Sequence, residues 1–589
     1  MENNETIYSR FQKNVLNNGK KTALAYVNNE DYEKISYQEL NNFVLQIVNY
    51  FLSLKLKKGD RVIILSENRW EWPVIDLASN YLGLILVPIH TTYGYKYINY
   101  IIEKTDPKLV FISNQKLFEN FKKIDKNLID KFQEIILLDN NVKDDLTLKY
   151  WSDIISNFDS KVNIDPVLDL ETIMTIIYTS GTTGMPKGAV LTNHNILVNI
   201  DNVLKYVPIY SNDRFFSFLP LSHVLERVAG NIVPLTLGAS IYYSRNPKTL
   251  VDDIKKAQPT IMVSVPRIFE KIFDKIHDKL RDGSKFKHQL FYHALKVVSK
   301  INASKRNKEK PNKLIYLQSK VLDSLVFKKI RSIFGGHLRL AISGGSSLDR
   351  KIARFFEDVG VQVIEGYGLT ETSPIIAVNK IDDYKFGTVG SVLANLDLKI
   401  NDDKEILVKG SSVMSGYWQD EESTKNALQD GWFSTGDLGF MDKDGFLNII
   451  GRKKEMIVLS TGKNIIPVNI ELAVNYDRFI TQSLVIGLNR KFITALIVPD
   501  FEELKIYCQQ NDIKCSENKD CLGNEKIQKL YQNRINKSLK GFADYEQIKS
   551  FYLVDREFDQ EHDELTPTLK LKRENIKSNF FQIIDKFYE

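Results

Sequence analysis

Short apolar runs alternate with longer amphipathic stretches through the first part of the chain. Residues 60–66, 84–88 and 109–113 are rich in branched apolar side chains, a pattern typical of strands buried on both faces. Residues 70–81 and 95–104 repeat apolar side chains at helical spacing. Strands and helices in this order predict a mostly parallel sheet with connecting helices, so we expect an α/β fold with layered subdomains.

The pattern changes further along the chain. Residues 172–368 continue the α/β alternation and include a long, highly charged helical region at 266–333. Residues 375–450 contain short strand-like segments separated by turn residues, which predicts a small antiparallel sheet or barrel. We therefore expect an N-terminal domain, 1–451, of two layered α/β subdomains plus a small β-barrel-like subdomain, and a smaller α+β C-terminal domain, 452–589.

Composition and charge narrow the function classes. A chain of 589 residues is too long for one hydrophobic core, and its 43% hydrophobic and 26% charged residues are typical of globular proteins. A net charge of +6 is too small to predict nucleic-acid binding. It favours small polyanionic ligands or an anionic membrane surface. We interpret the lysine-rich residues 300–313 as a solvated helical face in preference to a membrane-binding patch.

The cysteines and the N-terminus indicate the compartment. Cys508, Cys515 and Cys521 lack the close C-x2-C pairs of zinc sites, and an odd count does not fit a disulfide framework. They are expected to be free thiols in a reducing cytosol. The first residues show no signal-peptide pattern, and no apolar stretch reaches the ~20 residues that a membrane-spanning helix needs. We expect a cytoplasmic protein whose membrane contact, if it has one, is peripheral.

Residues 178–188, YTSGTTGMPKG, form a glycine-rich loop directly after the apolar run 173–177. Glycines allow a tight backbone whose N–H groups approach a ligand, while hydroxyls and a lysine supply hydrogen bonds and positive charge to phosphate oxygens. The glycine spacing does not fit a Walker A loop, and a flexible linker would not separate a buried strand from the apolar residues 189–191. The candidate phosphate ligands are Thr179, Ser180, Gly181, Thr182, Thr183, Gly184 and Lys187.

This loop resembles the phosphate loop of the acyl-adenylate-forming superfamily, which includes acyl-CoA synthetases, luciferases and peptide-synthetase adenylation domains. Residues 218–227, FLPLSHVLER, and 263–271, VSVPRIFEK, are similar to the long-chain fatty acyl-CoA synthetases. The resemblance places His223 beside the substrate carboxylate, although a lone histidine is more often a core residue. In that branch, the helical region after 271 helps to form the wall of the acyl tunnel.

Two further segments complete the nucleotide site that the resemblance implies. The glycine turn in 341–348, AISGGSSL, packs against adenine, and 365–372, EGYGLTET, supplies polar groups. By resemblance, Tyr367 stacks on the base, Thr370 donates to the α-phosphate, and Glu371 binds Mg²⁺ together with Thr179. The nucleotide-binding candidates in these segments are Gly344, Gly345, Ser346, Glu365, Gly366, Tyr367, Gly368 and Thr370.

The last three motifs are 431–439, GWFSTGDLG; 451–457, GRKKEMI; and 565–573, LTPTLKLKR. By resemblance, Asp437 and Arg452 contact the ribose. Lys454 is implied as the hinge about which a mobile C-terminal domain rotates. Lys570 matches the catalytic lysine that assists adenylate formation and is withdrawn for the second step.

The resemblance covers residues 22 to 572 and implies ATP-dependent ligation of a long-chain fatty acid to coenzyme A through an acyl-adenylate, with Mg²⁺ as cofactor. One alternative is a fatty acyl-AMP ligase or acyl-carrier-protein synthetase. Another is an inactive nucleotide- or lipid-binding homologue, which the intact Thr370, Glu371 and Lys570 argue against. A luciferase-like oxygenase is disfavoured by residues 222–227. Arg227 stands where one branch of the family has a tryptophan that gates the acyl tunnel, so no gate residue is implied here. The sequence does not determine the preferred acyl chain length, whether the protein forms a homodimer, or whether it contacts a membrane.

Overall fold

The computed structural model describes residues 5–140, 148–179, 185–246, 248–281, 283–307, 309–513, 518–559, 561–566 and 571–588. The strands are β1 (Thr22–Asn28), β2 (Asp31–Ser36), β3 (Arg61–Leu65), β4 (Ile85–Ile89), β5 (Leu109–Ile112), β6 (Glu134–Leu137), β7 (Leu148–Tyr150), β8 (Ile173–Thr179), β9 (Lys187–Thr192), β10 (Arg214–Ser217), β11 (Ser240–Tyr243), β12 (Ile261–Ser264), β13 (Leu340–Ser343), β14 (Gln362–Gly368), β15 (Ile375–Val378), β16 (Ser391–Val392), β17 (Leu396–Ile400), β18 (Glu405–Gly410), β19 (Leu428–Gln429), β20 (Trp432–Met441), β21 (Leu447–Arg452), β22 (Ile457–Val458), β23 (Asn464–Ile465), β24 (Ile480–Ile486), β25 (Thr494–Pro499) and β26 (Ser550–Leu553).

Helices connect these strands. The α-helices are α1 (Ile7–Asn18), α2 (Tyr37–Ser53), α3 (Glu71–Leu82), α4 (Tyr95–Thr105), α5 (Gln115–Phe121), α6 (Lys126–Ile129), α7 (Trp151–Asn157), α8 (Asn193–Val203), α9 (Val233–Leu237), α10 (Leu250–Ala257), α11 (Pro266–Arg281), α12 (Lys285–Arg306), α13 (Lys313–Leu322), α14 (Lys328–Arg331), α15 (Arg350–Asp358), α16 (Glu421–Ala427), α17 (Pro467–Asn475), α18 (Phe501–Gln510), α19 (Asn518–Leu522), α20 (Glu525–Ser538), α21 (Arg573–Asn579) and α22 (Phe581–Lys586). Glu226–Ile232 and Asp323–Phe327 are π-helical, and Ser332–Phe334, Thr370–Thr372, Lys453–Glu455 and Asp544–Glu546 are 3-10 turns.

The first α/β subdomain is built on a seven-stranded sheet in the order β7-β6-β5-β3-β4-β8-β9. Its strands pair in parallel except for β8 and β9, which form an antiparallel hairpin. The predicted strands and helices are confirmed to within one or two residues. Helix α3 ends at Gly83, whose φ of +68° provides a left-handed C-cap before β4 begins.

The second α/β subdomain is built on a nine-stranded sheet in the order β16-β15-β14-β13-β12-β10-β11-β1-β2. Its central strands run parallel, and the charged helical region follows β12 as helices α11 to α14, which confirms the prediction. One hydrophobic core contains Val62 and Leu86 from the first sheet together with Ile241 and Val263 from the second. The two subdomains therefore pack into a single unit.

The small antiparallel sheet predicted over 375–450 is formed by residues 396–452, with β20 pairing with both β18 and β21. The prediction is wrong for β15 and β16, which extend the edge of the nine-stranded sheet, where β15 pairs with β14 and β16 with β15. The C-terminal region has its own sheet, β24-β25-β26, and its own cores around Ile470 and Leu496. The prediction of a separate α+β unit at the C-terminus is confirmed. Arg452 still pairs with Asp437 in the small sheet, and Lys454 lies in the single 3-10 turn that follows it.

The cysteine prediction is wrong at one position. Cys508 is a buried thiol, as predicted, but Cys521 is disulfide-bonded. Residue types and spacing did not indicate this, because a pairing depends on how the chain is folded around the cysteines. Cys515 lies outside the described residues. In the described part of the chain, no helix is both long and apolar enough to cross a membrane.

Candidate active site

The predicted site residues lie around the ends of neighbouring strands. The turn after β13, the end of β14 and the β8–β9 hairpin carry three of the motifs. Ligands of open α/β sheets bind at the carboxyl ends of the parallel strands. This rule places the turn after β13 and the end of β14 side by side in the nine-stranded sheet, whereas the β8–β9 hairpin belongs to the seven-stranded sheet and approaches them through side-chain and backbone contacts.

Glu371 and Lys187 meet at Tyr417. The Tyr417 hydroxyl donates to Glu371 Oε1 at 2.9 Å, and Lys187 Nζ lies 5.3 Å from the centre of the Tyr417 ring. Thr179 pairs with Lys187 across the hairpin, and its hydroxyl donates to the Lys187 carbonyl at 3.3 Å. A carboxylate and a lysine from two motifs therefore lie at one tyrosine, and the Thr179 hydroxyl lies against the backbone of that lysine.

Backbone hydrogen bonds hold Tyr417 in this position. Met414 N donates to the Glu371 carbonyl at 2.8 Å, and Trp418 N donates to the Gly188 carbonyl at 2.7 Å. Residues 414–418 thus connect the turn that carries Glu371 to the phosphate hairpin. Tyr417 was missed from the sequence, because a tyrosine in a Ser-Gly-Tyr-Trp turn has no chemical pattern that distinguishes it from a packing residue.

Asp437 contacts two other residues of the predicted nucleotide site, Tyr367 and Arg452. The Tyr367 hydroxyl donates to Asp437 Oδ2 at 2.8 Å, and Arg452 Nε lies 3.1 Å from Asp437 Oδ1. Burial and the neighbouring Asp437 carboxylate raise the pKa of Tyr367 well above its usual value, so the phenol stays protonated. The structure brings these three predicted nucleotide contacts together.

Glu365 holds the predicted adenine turn. Its carboxylate accepts from Leu348 N at 3.0 Å, which ties the residues after Gly344, Gly345 and Ser346 to β14. Burial raises the pKa of the Glu365 carboxyl to about 7, although backbone N–H groups of Leu348 and Gly387 favour its charged form.

Of the two glycines of the β14 motif, Gly368 allows close packing, whereas a Cβ built on Gly366 would meet its nearest neighbours at an ordinary 3.7 Å. A Cβ built on Gly368 would lie 1.8 Å from the Pro374 carbonyl oxygen, so only glycine fits there. Thr370 follows directly, is buried, and opens the turn that carries Glu371. This close approach fixes the position of both predicted catalytic residues relative to β14.

His223 lies beside a second histidine that the sequence did not single out. Leu225 N donates to His223 Nδ1 at 3.3 Å, which assigns the N–H of a neutral ring to Nε2. His90 lies 6.3 Å away between ring centres, and its Nδ1 is 2.7 Å from the Ser222 hydroxyl. Burial lowers the pKa of His90 to about 4, so this ring is neutral. His90 has no motif around it, and only the fold reveals it.

Arg227 is a structural residue and not a gate. It forms a bidentate ion pair with Asp76 at 2.6 and 2.9 Å, donates to the Thr175 hydroxyl at 2.6 Å, and packs over the ring of Trp72. Its side chain is only 1% exposed. Arg227 therefore fixes the π-helix Glu226–Ile232 against α3 and β8.

The neighbouring Glu226 is fully buried, and neither carboxyl oxygen forms a well-oriented hydrogen bond within the described residues. Burial raises the pKa of this carboxyl to about 8, and the Ser217 hydroxyl offsets only part of the effect. Glu226 is therefore neutral at pH 7. Gly230 makes room for it, because a Cβ there would lie 2.7 Å from the carboxyl carbon.

The C-terminal motif reaches the first domain on the side of His223. Lys572 Nζ lies 5.6 Å from the centre of the Tyr97 ring. The ring centres of Tyr97 and Tyr93 are 5.3 Å apart, and those of Tyr93 and His90 are 5.1 Å apart. Arg573 pairs with Glu455 of the predicted hinge turn and with Glu471. The predicted residues Lys570 and Ser180, Gly181, Thr182, Thr183 and Gly184 lie outside the described residues.

The family described as AMP-binding enzyme matches residues 11–418, and the AMP-binding enzyme C-terminal domain matches residues 454–589. The chain belongs to the AMP-binding enzyme family. This AMP-binding enzyme is 32% identical to the long-chain-fatty-acid–CoA ligase FadD15 of Mycobacterium bovis, over 91% of the chain and 89% of the relative. It is 31% identical to the rat long-chain-fatty-acid–CoA ligase 5 (99% and 89%) and 30% identical to the Arabidopsis thaliana long chain acyl-CoA synthetase 3 (94% and 87%).

Solved structures share the fold of this AMP-binding enzyme. The anthranilate CoA ligase AuaEII in complex with anthranoyl-AMP matches with a TM-score of 0.77 at 18% identity, covering 99% of each chain. ATP-bound MatB from Rhodopseudomonas palustris matches with a TM-score of 0.72 at 22% identity, over 99% of this chain and 100% of that one. At these identities the likeness concerns the fold, and it confirms a large N-terminal α/β domain followed by a separate C-terminal domain.

Proposed function

We propose that this protein ligates a long-chain fatty acid to coenzyme A in two steps, through an enzyme-bound acyl-adenylate. The observation that carries the proposal is the 32% identity to a long-chain-fatty-acid–CoA ligase over 91% of the chain. Contacts that link the phosphate hairpin to the Glu371 turn through Tyr417, and Tyr367 of the same motif to Asp437, support the adenylation step.

In the first step, a carboxylate oxygen of the fatty acid attacks the α-phosphate of ATP. An acyl–oxygen–phosphorus link forms, and the bond to pyrophosphate breaks. The transition state accumulates negative charge on the phosphoryl oxygens, so cations and donors that are already in place lower the barrier. We assign this role to Lys187, Thr370 and Lys570.

We assign the orientation of the fatty-acid carboxylate to His223, whose Nδ1 accepts from Leu225 N, so that a neutral ring carries its N–H on Nε2. His90 packs beside this ring and bonds to Ser222, so it is a positioning residue. A neutral His90 places no positive charge next to His223.

Glu371 and Thr179 are the residues that we assign to Mg²⁺. They fit this ion because Mg²⁺ prefers oxygen ligands and is bound by one or two protein groups together with phosphates. Tyr417 fixes one oxygen of Glu371, and no side chain in the described ranges bonds to the other. Bound Mg²⁺ would neutralise charge on the phosphate oxygens of ATP.

In the second step, the thiol sulfur of coenzyme A attacks the adenylate carbonyl. A carbon–sulfur bond forms, and the bond between the acyl carbon and the bridging oxygen breaks. AMP leaves with that oxygen, and the thiol proton is released. We infer that the C-terminal domain, 452–589, turns about Lys454 between the two steps. A short turn such as Lys453–Glu455 concentrates the backbone change at few residues.

A panel of saturated acids from acetate to stearate tests the proposal. Pyrophosphate release is measured with and without coenzyme A, and acyl-CoA is quantified. We expect the highest kcat/KM with long chains and a broad preference among neighbouring lengths, since one methylene in an apolar pocket contributes only ~1–3 kcal/mol. Activity confined to acetate, aryl acids or amino acids would refute the fatty-acid assignment. Acyl transfer to a carrier-protein phosphopantetheine in place of coenzyme A would refute the second step.

A further inference from the structure

Helix α13 and the π turn that continues it carry an exposed apolar stripe. Leu314, Leu317, Val321 and Leu325 are 79, 66, 56 and 58% exposed, whereas Leu322 on the other side is buried. Their spacing of three and four residues places them on one face of the helix. Single exposed leucines are ordinary, but a row of four on one face marks an interaction surface.

The stripe lies in the most basic part of the chain. Residues 285–331 contain thirteen Lys and Arg against two acidic residues, Glu309 and Asp323, a net charge of +11, whereas the whole chain carries only +6. Asp323 is itself paired with Arg331 at 2.7 Å. The positive charge of the protein is therefore concentrated around this stripe.

Lysines and a tyrosine border the stripe. Lys313, Lys320 and Lys328 are exposed, and Lys320 Nζ lies 5.5 Å from the centre of the Tyr316 ring. Tyr316 is 42% exposed. Lysine side chains can lay their methylene groups along an apolar surface while the ammonium group reaches a polar layer, and tyrosine suits such boundaries.

We propose that this basic apolar face, formed by Leu314, Leu317, Val321, Leu325, Lys313, Lys320 and Lys328, docks onto the surface of an anionic lipid bilayer. The apolar stripe would enter the boundary between head groups and acyl chains, and the lysines would contact anionic head groups. The face begins at the end of the lysine-rich residues 300–313, which we interpret as a solvated helical face. The inference goes beyond the ligase reaction and does not depend on which acid is activated.

Charge and apolar contact favour an anionic bilayer over two other possible partners of this face, a second copy of the chain and a nucleic acid. A second copy of the chain would bring an equally positive face against this one, which opposes association. A nucleic acid would contact the lysines but leave four aliphatic side chains without an apolar partner. An anionic bilayer complements both parts of the face.

Cosedimentation with vesicles tests the proposal in the absence of ATP, acid and coenzyme A, so its outcome is independent of ligase activity. The variant replaces Leu314, Leu317, Val321 and Leu325 with Ser. The control replaces Leu16, Leu472 and Leu488 with Ser, which are 81, 40 and 51% exposed and lie elsewhere. We expect the wild type and the control to bind phosphatidylglycerol-containing vesicles and to bind pure phosphatidylcholine weakly. We expect the stripe variant to bind at least about tenfold more weakly.

A second variant, with Lys313, Lys320 and Lys328 replaced by Gln, keeps the test decisive if the first variant unfolds. It should reduce binding to anionic vesicles and should weaken the salt dependence of that binding. Equal binding of wild type and both variants would overturn the proposal, as would equal binding of the wild type to neutral vesicles. Self-association or RNA binding that is lost in the stripe variant, without vesicle binding, would assign the face to that other partner.

Discussion

At the scale of single residues, the main contribution of the structure is the set of partners around each motif residue. Glu371, Lys187 and Thr179 are visible as candidates in the sequence because carboxylate, ammonium and hydroxyl groups in glycine-rich turns suit phosphate and Mg²⁺. Tyr417, which connects them, is not. Its role depends on a hydrogen bond to a residue 46 positions earlier in the chain.

Replacing Tyr417 with Phe should weaken adenylation while leaving the fold intact. The change removes the hydrogen bond to Glu371 but keeps the ring beneath Lys187. Because a hydrogen bond to a charged group contributes about 1.5–3 kcal/mol, we expect kcat/KM for pyrophosphate release to fall about tenfold or more. We also expect half-maximal activity to need more Mg²⁺. The matched control is Tyr210→Phe, at an exposed tyrosine; equal effects of the two changes would contradict the role of Tyr417.

The buried Glu226 predicts a pH dependence of stability. Its pKa rises from an ordinary 4.5 to about 8 on folding. Between these values the folded protein must keep a proton that the unfolded chain releases, so stability falls as pH rises from 4.5 to about 8. Glu226→Gln removes this effect.

The unfolding temperature of Glu226→Gln relative to wild type should therefore increase between about pH 5 and pH 8 and level off above that range. Scanning calorimetry in a pH series measures it. The exposed Glu421, replaced by Gln, serves as the control and should show no such trend. A pH-independent difference for the Glu226 variant would show that the carboxyl is not kept neutral in the folded state.

At the scale of elements, most of the strands and helices are predictable from the sequence, and the environment of the π-helix is not. Continuous apolar runs locate β3, β4 and β5, and helical spacing locates α3 and α4, because both signals are local. The role of Arg227 depends on Asp76, 151 positions away. Local patterns do not contain that pairing, so the sequence shows only that Arg227 stands where one branch of the family has a tryptophan gate.

Replacing Arg227 with Met should destabilise the N-terminal unit strongly. Asp76 would remain buried without its cation, and removing one partner of a buried ion pair costs about 3–5 kcal/mol. Denaturant unfolding followed by tryptophan fluorescence measures the loss. The double variant Arg227→Met with Asp76→Leu should recover much of it, because no uncompensated charge remains.

The control for this pair is Lys58→Met. Lys58 pairs with Asp169 at the surface, where both side chains are about half exposed. That change should cost less than about 1 kcal/mol. If Arg227→Met and Lys58→Met cost the same, Arg227 does not hold the π-helix in place.

At the scale of the whole molecule, two domains must cooperate. Lys572 lies over Tyr97, Arg281 pairs with Glu503 at 3.1 Å, and Arg267 approaches Glu557 at 3.6 Å. Such polar contacts between the C-terminal unit and the rest of the protein suit an interface that opens and closes. The sequence predicts both domains and the turn between them, but not these contacts, which depend on how the two surfaces meet.

Lys454→Pro should separate the two half-reactions. Proline fixes φ near −65° and restricts the residue before it, so the turn could no longer change its backbone angles freely. We expect adenylate formation to change little and thioester formation from supplied acyl-AMP to fall by at least about tenfold. Lys454→Ala is the control and should retain both steps. Equal loss of both steps in the proline variant would argue against a hinge at Lys454.

Isotope exchange between pyrophosphate and ATP without coenzyme A tests the central claim most directly. If the fatty acid is activated as an adenylate, exchange requires a long-chain acid, proceeds in the absence of coenzyme A, and is abolished by Lys570→Ala. The same variant should still convert supplied acyl-AMP and coenzyme A to acyl-CoA. Exchange that requires coenzyme A, or that does not depend on the fatty acid, would contradict the account.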